Sequence, residues 1–303
     1  MRLCADVGGS FIDLAVFDAE ARMVWRRKTP TPVDDWPAFV AVFAEAVAMA
    51  PCPSLSIATA GLVDPVSGVV TSANIPCIDG RALAQDLAAA LGLPVRVVND
   101  ADAFVLAEAT LGAGRGHDRV FGIILGTGVG GGLVERGRIV SSAGGIGGEW
   151  GHGQVIHASP VAPDAMPVFA CGCGRRGCLD TIGSARGLER LHRFLHGVET
   201  DSIAITQGAE GSDVQAAATV AWFCDLIGGP IAMLLHAVSA TIVPVGGGLA
   251  NASGLIAALD TRVRANLLTP VTTPVVVPGL LGGEAGLIGA FVAGGNSSTV
   301  RPE

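Results

Sequence analysis

The stretch RLCADVGGSFIDLAVFD, Arg2 to Asp18, reads as strand, glycine turn and returning strand: Leu3 to Val7, then Gly8-Gly9-Ser10, then Phe11 to Phe17. The plan recurs in VFGIILGTGVGGGLVERGRIV, Val120 to Val140, with a strand from Val120 to Leu125, a turn at Gly126-Thr-Gly-Val-Gly and a return over Gly131 to Val134. A tight turn at Glu135-Arg-Gly137 then leads into Arg138 to Val140. The repeat distance, about 120 residues, is too long for a solenoid and suits a duplicated domain.

Between the hairpins the pattern gives a helix over Trp36 to Met49, an apolar strand over Leu55 to Ala60 and a short strand near Asp64 to Thr71. A helix over Ala82 to Leu91, a strand over Val95 to Val98 and a helix over Ala101 to Leu111 follow. Interleaved strands and helices imply an α/β sheet with helices on its faces. Gly114 to Asp118 is turn-rich and reads as a hinge. After a glycine-rich stretch from Ser141 to Gly177 come helices, a strand over Thr241 to Val245, and a last helix near Glu284 to Val292 that can pack back on the first half. The domains are expected at 1–115 with 285–303, and at 116–284.

Half of the 303 residues are apolar and 15% are charged, which excludes a disordered chain. A net charge of −8 argues against a general nucleic-acid surface. The basic run Arg175, Arg186, Arg190, His192, Arg193, His196 reads as a solvated helix face. The N-terminus lacks the regions of a signal peptide. The most apolar window, Leu226 to Val245, is interrupted by Gly228, Gly229, Pro230, His236 and Pro244, so it reads as a buried helix followed by a buried strand, not a membrane span. Cys4, Cys52, Cys77 and Cys224 lie in apolar surroundings and read as small core residues. The expected setting is a reduced cytoplasm, where clustered cysteines point to metal or redox chemistry.

The loop Gly126 to Gly131 formally matches G-x-G-x-x-G, but a strand and not a helix follows it, so a dinucleotide site is rejected. Two glycine hairpins facing one cleft suit phosphates instead. Their backbone N–H groups can cup phosphate oxygens, Gly8, Gly9, Gly126 and Gly128 keep the approach open, and Ser10 and Thr127 add hydroxyls. Asp6 suits a Mg²⁺ ion, held through water, that bridges those phosphates. A third run, Gly246-Gly247-Gly248, makes room for a flat base.

Asn99 and Asp100, in RVVNDADAF, stand where a strand ends and a helix begins. Either one caps that helix, or Asp100 orients and deprotonates a hydroxyl that receives a phosphoryl group. In GGEWGH, Glu149 and His152 supply an acceptor and a donor suited to a hydroxyl-rich ligand. CGCGRRGC puts Cys171, Cys173 and Cys178 into eight residues. Such a trio is either redox-active or three ligands of a zinc knuckle, with His152 or His157 as candidates for the fourth.

Taken in order, Asp6-x-Gly-Gly-Ser10, Asn99-Asp100, Gly126-Thr-Gly-x-Gly-Gly-Gly132, Gly148-Glu-x-Gly-His152, Cys171-x-Cys-Gly-x-x-Gly-Cys178 and Gly246-Gly-Gly248 resemble the ROK family of sugar kinases and repressors over essentially the whole chain. The resemblance implies an actin-like, hexokinase-type fold with two ribonuclease-H-like domains that close on ATP and sugar. It implies Asp100 as base for a sugar 6-hydroxyl, with Asn99, Glu149 and His152 on the sugar. It also implies zinc on His152, Cys171, Cys173 and Cys178, and places Ser10, Gly126 and Thr127 by the phosphates. Asn74, in SANIPCIDGRALAQDL, joins the sugar set in the same way, and that stretch, with the insertion between His152 and Cys171, looks most like N-acetyl-D-glucosamine kinases. Glucokinases, fructokinases and N-acetylmannosamine kinases of the family are the alternatives.

The chain departs from the family pattern at three places. Ser10 stands where Thr is usual, and Glu284 stands where an Asp-bearing stretch is common. Asp180 stands where a Glu commonly contacts the sugar, so it is expected in the sugar set with a side chain one methylene shorter. Repressors of the family carry an added helix-turn-helix, for which the sequence before Leu3 leaves no room. Partners are expected to be sugar and ATP, with no nucleic acid and no membrane, and the resemblance also allows a homodimer.

Overall fold

The computed structural model describes residues 1–141, 143–157 and 166–295. Residues 158–165 of the insertion between His152 and Cys171, which supports the amino-sugar reading, lie outside them. The chain forms two compact units, one of residues 1–115, 133–147 and 281–303, the other of 116–132 and 148–280. The sequence reading drew the boundaries at 1–115 with 285–303 and at 116–284. Residues 143–147 fall with the first unit because Asp64 Oδ2 accepts from Gly144 N at 3.3 Å and Gly145 lies against the Val63 carbonyl. Residue 281 does so because its N–H donates to Glu108 Oε1 at 2.9 Å.

In the first unit the strands are β1 (Arg2–Val7), β2 (Phe11–Phe17), β3 (Met23–Pro30), β4 (Leu55–Thr59), the short pair β5 (Leu62–Val63) and β6 (Val70–Thr71), and β7 (Val95–Asn99). The helices are α1 (Trp36–Met49), α2 (Leu83–Leu91) and α3 (Asp100–Leu111). The sheet order is β3-β2-β1-β4-β7, with β1, β4 and β7 parallel and β1–β2–β3 antiparallel.

Alternation along the pleat sends Leu3, Ala5, Val7, Ile12, Leu14 and Val16 into one buried cluster with Phe39 and Phe43 of α1. Each such fully buried Leu, Ile, Val or Phe side chain contributes about 1.5–3 kcal/mol. The helix α1 starts where Asp35 accepts from Ala38 N and Pro37 occupies the first turn. Residues 2, 4 and 6 of β1 take the opposite face.

In the second unit β8 (Arg119–Leu125) leads to β9 (Val129–Glu135), which passes into the first unit at residue 133, where it pairs with β10 (Arg138–Ile139). The turn between them has Arg136 and Gly137 at φ of 49° and 74°, the primed geometry that suits tight hairpins. The helices α4 (Asp180–Gly183), α5 (Ala185–His196), α6 (Ser202–Glu210) and α7 (Val214–Val238) precede β11 (Val243–Gly246), and α8 (Ser253–Ala265) precedes β12 (Val276–Pro278). The sheet order is β10-β9-β8-β11-β12, with β11 parallel to both β8 and β12. Asp260 of α8 fixes β12 by accepting from Val275 N at 2.7 Å and Val276 N at 2.9 Å.

The last helix, α9 (Ala285–Gly295), packs on α3, β1 and β4 of the first unit. It covers the even-numbered face of β1, where Arg2 Nη1 donates to Phe291 O at 2.6 Å.

The window Leu226 to Val245 is, as expected, a buried helix followed by a buried strand: α7 runs through Gly228, Gly229 and Pro230 to Val238, and β11 follows. Among the described residues α7 alone is long and apolar enough to cross a membrane by length and composition, and half of its most apolar window is buried within the protein. Two sequence readings need correction. His192 does not belong to a solvated face: it is buried and its Nδ1 lies 2.9 Å from Thr219 Oγ1. Cys4 and Cys224 are buried core residues, but Cys52 and Cys77 are only half-buried against the core of the first unit.

Candidate active site

The expected residues gather into two constellations, one on each unit. On the first, Asp6, Thr59 and Asn99 stand at the carboxyl ends of three adjacent parallel strands, in register as Asp6↔Ala58 and Thr59↔Asn99. Ligands of α/β sheets collect at such ends. Asn99 caps α3, its Oδ1 accepting from Ala101 N at 2.8 Å and Asp102 N at 3.1 Å, while its Nδ2 donates to Gly61 O at 2.8 Å. Of the two cap candidates the geometry selects Asn99, which leaves one amide hydrogen for a ligand. Asp100 opens the first turn of α3, where the helix dipole favours a carboxylate, and its Oδ1 accepts from Ala101 N at 2.8 Å.

Asp6 is the most perturbed carboxylate described. Burial pushes its pKa up to about 6, the nearby charges of Asp100 and Asp13 add to the shift, and Lys28 opposes it. Asp13, its cross-strand partner, is itself paired with Arg26, at 3.0 Å to Nε and 2.6 Å to Nη2. Asp6 also presses on the first turn of α9, where a Cβ on Gly286 would collide with the carboxylate. Such crowding of acidic groups fits a hard divalent cation, whose charge relieves the repulsion.

The first hairpin turn closes through Gly8 N donating to Phe11 O at 3.0 Å, and Thr31 Oγ1 donates to Gly8 O at 2.6 Å. Gly9 and Ser10 are exposed there, and Asn74 lies against Gly9. Glu284 turns to Arg26, 3.2 Å away.

On the second unit the register Gly246↔Ile124 brings the ends of β8 and β11 together, so Gly126 to Gly128 and Gly246 to Gly248 sit side by side. Thr127, Gly247 and Gly248 are exposed. Below them His152, Cys171, Cys173 and Cys178 converge, with all four ligand atoms within 4.8 Å of one another. His152 Nδ1 is 3.6 Å from Cys171 Sγ, and Cys173 Sγ is 3.7 Å from Cys178 Sγ. A tetrahedron with zinc–ligand bonds near 2.0–2.3 Å has edges of about 3.6–3.8 Å, so the residues fit that ion. The exposed His157 is not part of the group.

Burial pushes Cys178 up to about 12 and raises Cys171, whereas Cys173 is lowered to about 7, chiefly by the backbone N–H of Arg175. His152 points its other nitrogen, Nε2, toward Glu149 Oε2 at 3.8 Å. Glu149 is half-buried and its pKa is raised by burial, with His152 opposing and Asp180 adding.

Asp180 is not free in this arrangement. Its Oδ1 accepts from Val129 N at 2.8 Å, inside the glycine turn, a link sequence reasoning missed. The close approach of Asp6 to Gly286 was missed as well. The only sequence signals were the carboxylate two residues after Cys178, which the resemblance assigns to the sugar, and a glycine two residues after Glu284.

The ROK family model matches residues 2–293. The chain is 36% identical to the N-acetylgalactosamine kinase AgaK of Shewanella sp. (strain ANA-3), covering 95% of each chain. It is 35% identical to an N-acetyl-D-glucosamine kinase of Pectobacterium atrosepticum, covering 94% of this chain and 96% of that one. A ROK glucokinase from Streptomyces griseus, solved with glucose and AMPPNP, superposes with a TM-score of 0.74 at 29% identity, covering 95% and 97%. With near-complete coverage by both sequence and structure, the fold is the actin-like, hexokinase-type α/β fold and the chain belongs to the ROK family.

Proposed function

We propose that the protein transfers the γ-phosphoryl group of ATP to the 6-hydroxyl of an N-acetylhexosamine, N-acetyl-D-glucosamine in the first place. The observation that carries this reading is the pairing of Asp100, at the start of α3, with the crowded carboxylate of Asp6 at the end of β1. Asp100 accepts the hydroxyl proton as the oxygen attacks phosphorus. Asp6 would hold, through water, the Mg²⁺ that accompanies ATP, which would supply charge neutralisation to the phosphates. Backbone N–H groups of the two glycine turns, with the Ser10 and Thr127 hydroxyls, receive the phosphates. Gly246 to Gly248 leave space for the base.

The remaining Asn99 amide hydrogen, Asn74, Glu149 and His152 hold sugar hydroxyls. His152, Cys171, Cys173 and Cys178 would hold zinc, which would fix the tautomer and orientation of His152 and so the shape of the pocket. ATP as donor and a reduced zinc cluster both suit a cytoplasmic enzyme.

A coupled ADP-release assay over a panel of sugars tests the reading. The highest kcat/KM is expected for N-acetyl-D-glucosamine. The 36% identity to an N-acetylgalactosamine kinase favours that epimer as the second reading. Preference for glucose by a large factor would overturn the amino-sugar assignment, and absence of sugar-dependent ADP release would overturn the kinase.

A further inference from the structure

We propose that Asp180 is a positioning residue of the phosphate-binding turn, tying that turn to the zinc cluster, and is not a sugar ligand. The inference rests on the kinase reading for its consequence in nucleotide binding, but the link itself is independent of that reading.

Asp180 opens α4, two residues after the ligand Cys178. One oxygen, Oδ1, accepts from Val129 N at 2.8 Å; the other, Oδ2, stands 3.9 Å from Cys171 Sγ. A single carboxylate therefore spans the thiol cluster and the turn. The approach is so close that a Cβ on Gly128 would sit 2.8 Å from Oδ1, so a side chain at 128 would push the Asp180 carboxylate off the turn.

The same segment grips the other end of the turn, with Ala185 N donating to Gly126 O at 2.8 Å. Ala185 follows Ser184, whose Oγ donates to Asp180 O at 2.9 Å and accepts from Gly187 N at 3.0 Å to cap α5. On the metal side, Leu179 N donates to Gly153 O at 3.0 Å, next to His152. The stretch 178–185 thus meets the cluster at one end and both ends of the turn at the other.

Chain geometry explains the shorter side chain: an aspartate this close to the turn reaches Val129 N and is thereby committed. With Val129 N engaged, the turn keeps its remaining N–H groups in one arrangement, which is what a phosphate-binding loop needs before its ligand arrives. Loss of zinc frees residues 171–178 and loosens Asp180 with them, so metal occupancy is read at the nucleotide turn as well as at the sugar side.

The test compares full-length wild type, Asp180→Ala and Asp180→Asn, zinc-loaded, with wild type stripped of zinc. Hydrogen exchange is followed in the peptide 126–131, and affinity is measured for a non-hydrolysable Mg-ATP analogue and separately for the sugar. A hydrogen bond to a charged acceptor justifies an expected loss of about tenfold or more in nucleotide affinity for Asp180→Ala. The 126–131 peptide should exchange faster, sugar affinity should hold within about threefold, and zinc content should be unchanged. Asp180→Asn, whose amide oxygen can accept the same N–H, should recover most of the loss. Zinc-stripped wild type should show the fast exchange of Asp180→Ala.

Unchanged exchange at 126–131 in Asp180→Ala would overturn the link, as would a loss confined to the sugar. Zinc lost together in both variants would instead assign Asp180 to the metal site. If wild type fails to bind the analogue, the kinase reading falls, and the exchange comparison still decides the link.

Discussion

The two glycine hairpins share a plan and differ in what surrounds them. The turn at Gly8 to Ser10 stands beside crowded acid: half-buried Asp6 has Asp100 and Asp13 as charged neighbours, and Asp6 presses on the start of α9. The turn at Gly126 to Gly128 is held from beneath by one carboxylate and one amide of the segment that carries the cysteine knuckle. In the proposed function, the first copy carries the groups that react and hold a cation, and the second serves as a scaffold, with Asp180 bound to the turn and the Cys/His cluster beside the pocket. A duplicated framework can divide chemistry from positioning in this way because a strand–turn–strand leaves its turn free and lets the elements beneath diverge.

The largest expected effect breaks the reactive side. Asp100→Asn keeps the shape and the start of α3 but removes the proton acceptor, so kcat should fall by about 10³-fold or more while the sugar dissociation constant stays within about threefold. Steady-state kinetics alongside calorimetric sugar titration would read this. A variant that keeps most of its turnover would transfer the role elsewhere.

On the scaffold side, exhaustive chelation should weaken sugar affinity on the order of tenfold, because His152 loses the partner that fixes its ring. Sugar affinity that survives complete metal removal, measured against zinc content, would separate the cluster from the pocket.

Stability gives the third comparison. Glu108 is fully buried and accepts from Ala113 N at 2.8 Å and Leu281 N at 2.9 Å, joining the end of α3 to the segment that enters α9. Glu108→Ala leaves those amides without their acceptor and should cost about 3 kcal/mol in urea unfolding. A shift under about 0.5 kcal/mol would show that this junction does not hold α9 in place.

The smallest effect concerns pH. His192 faces His196, Thr219 and Asp213; burial lowers its pKa from 6.5, His196 adds to the shift and Asp213 opposes it. The folded protein thus holds His192 neutral while the unfolded chain takes up a proton below 6.5, so this residue withdraws stability as pH falls through 6.5 toward the folded value. Urea midpoints measured across that window should fall less steeply in His192→Gln than in wild type. Equal slopes would mean the imidazole titrates alike in both states.

Much of this was legible in the residues, and the reasons can be named. The α1 bounds Trp36 to Met49 follow from Asp35-Trp-Pro, a cap and a first-turn proline ahead of an apolar run. The hairpins were visible because glycine punctuates strands strongly, and the cysteine knuckle because three thiols at short spacing have few uses. Two features were hidden. His192 looked solvated because its neighbours in sequence are arginines, whereas helical periodicity places it on the inner face with Leu188 and Leu191. Asp180 could not be placed because its partner is a backbone amide 51 residues away, and backbone partners leave no mark in sequence.

The central claim is phosphoryl transfer to a primary hydroxyl. The most direct measurement is the proton-coupled ³¹P NMR spectrum of the product formed from Mg-ATP and N-acetyl-D-glucosamine. Phosphate on the 6-oxygen couples to the two protons of one methylene, so the account predicts a new monoester triplet appearing in step with ADP. A doublet, reporting phosphate on a ring hydroxyl, or inorganic phosphate as the only new signal, would contradict it.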